Sequence, residues 1–316
     1  MTRRKATDVA VDRVYLGDVY ARVSTVGDTG TRAFVLVPGI GVSANYFEQL
    51  AAELNEFGPV VALDLPGFGG VPHPRGRRFG IGEYAELVGT VIERLGLRDP
   101  ILVGHSMGTQ IVAELAARSA PGTFRSVVLL GPVINPAERR LRTTVLRFLQ
   151  SCRREPPRVA LLAIYAYLLC GPRWFARTLP EMLAYRIEET LPKITASTLI
   201  IAGEHDRLCP RPWLERAAEL LPRSRIWIIP DGAHSVMHAQ ADQVAQLCVE
   251  HARHPDAADE DEARVATDEP DTPDHAEPAK QLAGQAEELI GIVTDDDALI
   301  AAGKTKQAEA LDHPEE

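Results

Sequence analysis

A serine flanked by glycines is the first feature of the chain that could do chemistry. Ser106 lies in the pentapeptide Gly104-His105-Ser106-Met107-Gly108, between a short apolar run and a stretch of helical periodicity. A G-x-S-x-G sequence between a strand and a helix is typical of a sharp turn that lifts the serine hydroxyl clear of the backbone. The glycines are needed because side chains there would collide with the neighbouring strand and helix. Ser106 is therefore the candidate nucleophile, and His105 is expected to be a packing residue beside it.

A serine hydroxyl is a poor nucleophile unless a base removes its proton and a third group orients that base. His234 is the candidate base, and Asp206 is the candidate acid that orients it. Each lies in a loop that directly follows an apolar run predicted to be a strand. Two other carboxylates in these loops, Glu204 and Asp231, remain rivals of Asp206 by position.

The elements that must position these residues follow from the hydrophobic pattern. Short apolar runs alternate with segments of helical periodicity from residue 33 onward, and the predicted strands are 34–37, 60–63, 101–103, 127–130, 199–202 and 226–229. Helices are predicted over 43–57, 81–95 and 107–118. This alternation indicates an α/β fold, with a mostly parallel sheet covered by helices on both faces. Reacting groups in such sheets gather at the carboxyl edge of the strands, where all three candidates are expected to meet.

Two departures from the alternation define the predicted domain organisation. An N-terminal hairpin, 11–16 and 19–23, should extend the sheet as an antiparallel edge. Residues 133–193 contain helical stripes but no convincing strand, and an insertion of this length is usually functional. The predicted organisation is therefore as follows: an α/β core over 1–132 and 194–252, a helical lid over 133–193, a disordered acidic linker over 253–275, and a short helical segment over 276–316.

The net charge of −10 is distributed unevenly along the chain. Residues 253–316 carry 19 acidic and 5 basic residues, whereas the predicted lid carries 11 basic and 5 acidic ones. We expect an intramolecular contact between the acidic tail and the lid, whose basic face is formed by Arg139, Arg140, Arg142, Arg153 and Arg154. The alternative is that both sets of charges serve only to keep the protein soluble.

The order Ser106, Asp206, His234, each after a predicted strand, resembles the α/β-hydrolase superfamily over nearly all of residues 11–251. The resemblance implies that Ser106 is the nucleophile and that residues 133–193 form a lid on the α/β core. It also implies an oxyanion hole made by the backbone N–H groups of Met107 and Ile40, the latter in Val37-Pro38-Gly39-Ile40-Gly41. A serine nucleophile excludes dehalogenase and epoxide hydrolase chemistry, which needs a carboxylate to form the ester intermediate.

The end of the chain resembles a second family. The segments Ala279-Lys280-Gln281-Leu282-Ala283-Gly284-Gln285 and Thr294-Asp295-Asp296-Asp297, followed by Ala302-Gly303-Lys304-Thr305-Lys306-Gln307, are similar to the CsbD-like family of small bacterial stress-response proteins. This resemblance covers only about 35 residues and implies no particular chemistry.

Together these features predict a serine hydrolase that cleaves a small or medium carboxylic ester, with no metal or organic cofactor. Two alternatives stay open: a carbon–carbon bond hydrolase or cofactor-free perhydrolase using the same residues, and a non-catalytic stress-associated binding protein. We expect a small-molecule substrate and no nucleic-acid partner. Four scattered cysteines, no apolar segment behind the N-terminal basic residues and no apolar run longer than 12 residues favour a cytoplasmic protein without a membrane span.

Overall fold

The computed structural model describes residues 9–27, 32–155 and 157–255. The predicted C-terminal helical segment, almost all of the predicted acidic linker, and the expected contact between tail and lid therefore lie outside the described residues. Within the described part of the chain, no helix is both long enough and apolar enough to span a bilayer.

One eight-stranded sheet organises the described residues. The strands are β1 (Val9–Leu16), β2 (Val19–Val26), β3 (Phe34–Val37), β4 (Val60–Asp64), β5 (Ile101–His105), β6 (Ser126–Leu130), β7 (Ser197–Gly203) and β8 (Ser224–Ile229). Their spatial order is β1-β2-β4-β3-β5-β6-β7-β8. The β1–β2 and β2–β4 pairs are antiparallel, and every other pair is parallel. The sheet confirms the predicted α/β fold class and the N-terminal hairpin at its antiparallel edge.

Ten α-helices are present in the part of the chain that the structure describes. They are α1 (Glu48–Leu54), α2 (Ile81–Arg94), α3 (Met107–Arg118), α4 (Leu141–Cys152), α5 (Pro157–Cys170), α6 (Pro172–Ala184), α7 (Ile187–Thr190), α8 (Arg211–Leu220), α9 (Val236–Ala239) and α10 (Ala241–Arg253). Helices α2, α3 and α8 cover one face of the sheet, whereas α1 and α10 pack together on the other. The five central strands, β3 to β7, are buried on both faces, as a parallel sheet requires.

The helix predicted over 43–57 is shorter than its apolar pattern suggested. The chain first makes a 3₁₀ turn over Ala44–Phe47, and α1 then ends at Leu54. The Asp64 carboxylate accepts the Ala44 N–H at 2.7 Å, which fixes the entry to this turn. The apolar side chains that produced the helical pattern do face the core, because Phe47, Leu50 and Leu54 are fully buried.

Helices α4 to α7 all belong to residues 133–193, which we call the helical insertion. It packs over the carboxyl edge of the sheet: its Tyr167 and Phe175 contact the loop at Gly41, and its Trp174 lies against Gly67. One detail of the predicted basic face is wrong. Arg139 pairs with Glu188 at 2.6 Å and donates to the Tyr185 carbonyl at 3.0 Å, so its guanidinium is used within the insertion itself.

Candidate active site

Ser106 occupies a strained turn between β5 and α3. Its backbone has φ 54° and ψ −119°, a left-handed conformation that L-residues rarely adopt. The Ser106 N–H donates to the Leu130 carbonyl at 3.0 Å, and its carbonyl accepts from the Thr109 N–H at 2.9 Å and from the Thr109 hydroxyl at 2.6 Å. Strain of this kind costs about 1–3 kcal/mol and persists only where the surroundings enforce it. Holding this serine in one orientation therefore lowers the free energy of unfolding by that amount.

The two glycines of the pentapeptide are required by backbone contacts. A Cβ on Gly104 would overlap the Gly108 carbonyl at the start of α3, and a Cβ on Gly108 would overlap the Val37 carbonyl. The predicted collision with the neighbouring strand and helix is thus correct, and for both glycines the obstacle is main chain. Because main chain yields less easily than a side chain, larger residues at these positions would displace the turn that carries Ser106.

Asp206 and His234 lie together in the loops that follow β7 and β8. His234 Nδ1 is 2.7 Å from Asp206 Oδ2, and both residues are buried. The other Asp206 oxygen, Oδ1, accepts the Leu208 N–H at 2.9 Å. The rival Asp231 has a side chain that is 91% exposed, and Glu204 accepts the Asp231 N–H at 3.0 Å. Of the three carboxylates, only Asp206 forms a hydrogen bond with His234 among the described contacts.

The buried pair favours its charged form. Burial by itself lowers the pKa of His234, but the charge of Asp206 and their hydrogen bond outweigh that effect and raise it above 6.5. Burial by itself raises the pKa of Asp206, and the His234 charge and hydrogen bonds bring it below its ordinary value. Asp206 is therefore ionised at neutral pH, and neutral His234 donates from Nδ1, which leaves Nε2 as the free basic nitrogen.

A pH dependence follows from the raised pKa of His234. If His234 is the base, only its neutral form can accept the proton of Ser106, so hydrolysis should be lost as the pH falls through this pKa. Because the pKa lies above 6.5, we expect kcat/KM for a neutral ester to reach its plateau on the alkaline side of neutrality. Below the pKa it should fall about tenfold per pH unit. A rate that stays constant from pH 5 to 8 would contradict the role of His234 as the base.

His105 has more contact with His234 than a simple packing neighbour. The two ring centroids are 4.8 Å apart, and His105 Nε2 lies 3.1 Å from the His234 carbonyl oxygen. Burial lowers the pKa of His105 to about 3, so its ring is neutral. Since a carbonyl only accepts, Nε2 carries the proton and donates it. His105, which directly precedes the candidate nucleophile, is thus hydrogen-bonded to the backbone of the candidate base.

The loop predicted to form half of the oxyanion hole lies directly against Ser106. A Cβ added to Gly39 would be 3.0 Å from the Ser106 Cβ, and Ile40 follows it in the chain. Met107 is the first residue of α3, where backbone N–H groups have no partner within the helix. The structure therefore brings the segments of both proposed donors to the nucleophile.

Gly131 is a residue of the site whose role the sequence did not indicate. It has φ +56°, and a Cβ there would lie 3.0 Å from His234 Cε1 and 3.2 Å from Asp206 Oδ2. Without a side chain, this position leaves room for the pair from the two later loops. Any side chain would push against both members of the pair.

We expect Gly131→Val to lower kcat/KM by about a hundredfold, because a displacement of roughly 1 Å is enough for such a loss. Gly122→Val is the matched control, since Gly122 has φ +85° but nothing within 4 Å of its Cβ position. Both variants carry the same kind of backbone strain, so equal losses would show that the effect of Gly131 is general destabilisation and not displacement of the pair.

Two groups of side chains have metal-ligand atoms within 4.8 Å of one another in the described residues: Asp206, Cys209 and His234, and Glu204, His205 and Asp231. In the first group the Asp206 and His234 atoms already bind each other. Burial also raises the pKa of the Cys209 thiol well above its ordinary value, which disfavours the thiolate that a metal requires. The second group is mostly exposed, and one of its carboxylates binds backbone. Neither arrangement fits a built metal site.

The chain is similar to known proteins both in sequence and in fold. The sequence matches a putative non-heme chloroperoxidase of Synechocystis sp. with 26% identity over 256 residues, covering 67% of this chain and 88% of the relative. It also matches a 2-hydroxy-6-oxononadienedioate/2-hydroxy-6-oxononatrienedioate hydrolase of Pseudomonas sp. with 24% identity, covering 70% of this chain and 89% of that one. Among solved structures, a bacterial membrane phospholipase A superimposes with a TM-score of 0.65 and 25% identity, covering 78% of this chain and 87% of that one.

The family assignment rests on more than half of the chain. The sequence profile of the "Alpha/beta hydrolase family" matches residues 34–247, a range that begins at β3 and ends within α10. It contains the turn at Ser106 and the loops of Asp206 and His234. The chain is therefore a member of the alpha/beta hydrolase family and an enzyme of that superfamily.

Proposed function

We propose that this protein is a serine hydrolase that cleaves a small or medium carboxylic ester through an acyl-enzyme intermediate. The observation that carries the proposal is the buried 2.7 Å contact between His234 Nδ1 and Asp206 Oδ2, at the edge of the sheet where Ser106 is held in its strained turn. An oriented base near a serine that a sharp turn holds in one orientation is the arrangement that activates a serine hydroxyl.

In the proposed acylation, His234 Nε2 takes the proton of Ser106 as Oγ attacks the acyl carbonyl carbon. The backbone N–H groups of Ile40 and Met107 stabilise the oxyanion, and ionised Asp206 stabilises the imidazolium. Collapse of the tetrahedral intermediate breaks the ester bond. The leaving alkoxide takes the proton from His234 and departs as the alcohol.

In the proposed deacylation, His234 removes a proton from water, and the resulting hydroxide attacks the acyl-enzyme carbonyl. The second intermediate breaks the bond to Ser106 Oγ, which recovers a proton from His234. The products are the carboxylic acid and free enzyme. Apart from water and the ester, every group that these steps use belongs to the chain.

We infer that the helical insertion acts as a lid over this site. Its aromatic side chains already reach two loops at the carboxyl edge, Tyr167 and Phe175 at Gly41 and Trp174 at Gly67. A lid placed there excludes water from the acyl carbonyl and shapes the acyl pocket. The acyl preference is therefore set by the insertion rather than by the sheet.

A fluorophosphonate probe tests the proposal directly. We expect the probe to modify Ser106, as located by peptide mass spectrometry, and to block hydrolysis in a panel of p-nitrophenyl esters of increasing acyl length. Ser106→Ala serves as the control that should not be labelled. Folded protein that neither reacts with the probe nor hydrolyses any ester would favour the alternative of a non-catalytic binding protein.

A carbon–carbon bond hydrolase is the second candidate, because the Pseudomonas relative is named as a hydrolase of a 2-hydroxy-6-oxo dienedioate. The chloroperoxidase relative gives similar support to a perhydrolase. Both reactions would use the same serine, so labelling does not separate them from ester cleavage. A vinylogous 1,5-diketone acid and an ester of the same acyl group, compared by kcat/KM, would decide between the first two activities.

We also propose that the enzyme works in a reducing compartment such as the cytoplasm. Cys170, Cys209 and Cys248 are buried and unpaired. Buried unpaired thiols in a chain with scattered cysteines are typical of proteins outside the secretory route.

The acidic tail provides a further prediction. If it docks on the exposed arginines of the insertion, a chain ending at Pro255 should hydrolyse an anionic ester several-fold faster than the full chain at low salt. The difference should vanish at high ionic strength, because such contacts are screened over about 8 Å at physiological salt. A neutral ester is the control and should show no change. Equal rates for both chains on both esters would leave the tail without a role in catalysis.

A further inference from the structure

The peptide bond after His234 is held on both of its polar sides. His105 Nε2 donates to its carbonyl oxygen at 3.1 Å, and its N–H, on Ser235, donates to Glu155 Oε1 at 2.7 Å. His105 directly precedes the nucleophile, whereas Glu155 belongs to the helical insertion, between α4 and α5. The backbone of the candidate base is thus fixed from the sheet on one side and from the insertion on the other.

Glu155 makes this contact at a cost. Its second oxygen, Oε2, is buried without a hydrogen-bond partner among the described residues. Burial raises the pKa of the Glu155 carboxyl, and the nearby charge of Asp206 adds to that effect, whereas the Ser235 N–H and the His234 charge oppose it. A buried carboxylate with one oxygen that lacks a hydrogen bond destabilises the folded state unless a positive charge nearby interacts with it.

The same part of the insertion also contacts Asp206, the candidate acid. Ser151, at the end of α4, donates its hydroxyl towards Asp206 Oδ1 at 3.4 Å and accepts the Arg207 N–H at 2.9 Å. One corner of the insertion, residues 151–155, therefore contacts both loops that carry the buried pair. The insertion therefore helps to fix both loops in place.

We propose that Glu155 is a positioning residue for His234, which anchors the turn after the imidazole and places a second negative charge beside Asp206 to stabilise the imidazolium. Its part in catalysis rests on the proposed serine hydrolase function, but its effect on the imidazole does not. A neutral amide could accept the Ser235 N–H equally well. What the carboxylate adds beyond this hydrogen bond is its charge, and that charge acts on His234.

The titratable groups that face His234 come from three segments. Asp206 and Cys209 both follow β7; the carboxylate is ionised, and burial keeps the Cys209 thiol, within 4.8 Å of the pair, neutral. His105, at the end of β5, is neutral as well. Glu155 of the insertion raises the pKa of His234, and it does so less strongly than Asp206. Removing the charge of Glu155 should thus lower the proton affinity of His234 while leaving the main ion pair in place.

Titration of His234 by NMR in the full chain measures this effect without any substrate. We expect Glu155→Gln to lower the pKa of His234 by about half a unit to one unit, a three- to tenfold loss of proton affinity. The resonance is assigned by its absence in His234→Gln. Glu155→Asp keeps the charge, so its His234 pKa should lie closer to the wild-type value than that of Glu155→Gln.

Glu138→Gln is the matched control. Glu138 is also a carboxylate of the insertion, but it is paired with Arg147 at 3.0 Å, and this partner lowers its pKa. Its removal should leave the pKa of His234 unchanged. A shift of equal size in Glu138→Gln and Glu155→Gln would overturn the proposal, because it would reflect only the total charge of the insertion.

The pH profile of hydrolysis adds the catalytic readout. In Glu155→Gln the acidic limb of kcat/KM should move to lower pH by the same amount as the NMR pKa, whereas KM for a neutral ester should hardly change. An unchanged His234 pKa would overturn the inference even if the enzyme hydrolyses esters normally. Conversely, wild-type protein without hydrolytic activity would contradict the proposed function, while the NMR shift would still show the influence of Glu155 on the imidazole.

Discussion

Ser106→Ala and His234→Ala are each expected to lower the turnover of an activated ester by about 10⁴-fold or more. In the proposed mechanism Ser106 supplies the oxygen that bonds to the acyl carbon and His234 removes its proton, so neither can act without the other. Steady-state hydrolysis of a p-nitrophenyl ester measures the loss. The proposed oxyanion donors are backbone groups, so a residual rate above that of water should survive in both variants.

The double variant is the more decisive measurement. Residues that share one mechanism are strongly non-additive, so Ser106→Ala combined with His234→Ala should be little worse than either single change. Ser119→Ala, which removes a hydroxyl that donates to the Leu115 carbonyl near the end of the same helix, is the control and should retain full activity. If the two single losses multiplied instead, Ser106 and His234 would not act in one step, and the proposed mechanism would fail.

The sheet could be predicted because its signals are local. Each parallel strand is a short, nearly uninterrupted apolar run, and β5 leads directly into the G-x-S-x-G turn. Parallel strands end at one edge, so the order of Ser106, Asp206 and His234 along the chain already predicted that their loops would meet. The structure brings Asp206 and His234 into contact as that order predicted.

The parts that sequence reasoning missed depend on contacts between distant segments. Nothing in the residues around Gly131 shows that the space above it is filled by His234 from the last loop. Likewise, Glu155 is one of five acidic residues in the insertion, and its sequence neighbours do not distinguish it from the others. Only the packing of the insertion onto the sheet edge selects it for contact with Ser235.

Arg139 illustrates an error of another kind. The basic residues of the insertion were counted correctly, but Arg139 was wrongly assigned to its exposed basic face. The basic excess of the insertion is real, but the arginines within it have different partners. Arg139 is about one-fifth exposed and bound to Glu188, whereas Arg154 is exposed. Counting charges predicts the sign of a surface, but it does not show which charges are already paired inside the fold.

Asp206→Asn is expected to keep the fold and to lower kcat by about 10³- to 10⁴-fold. The amide can still occupy the space of the carboxylate, but it offers His234 no negative charge and can hold the ring in the wrong tautomer. The pKa of His234 should fall as well, because the charge of Asp206 is the strongest interaction that raises it. Circular dichroism and thermal unfolding would verify the fold, and p-nitrophenyl ester kinetics would give the loss.

The comparison with Asp231→Asn shows whether the acid is assigned to the correct loop. Asp231 lies three residues before His234, but its side chain is 91% exposed and its carboxylate is 3.7 Å from His205, not from His234. Neutralising an exposed carboxylate changes the pKa of a buried imidazole only slightly, because water screens the interaction between the two charges. We therefore expect Asp231→Asn to change kcat less than about threefold. A large loss in Asp231→Asn together with a small one in Asp206→Asn would transfer the role of the acid to Asp231, and it would require the loops to rearrange before catalysis.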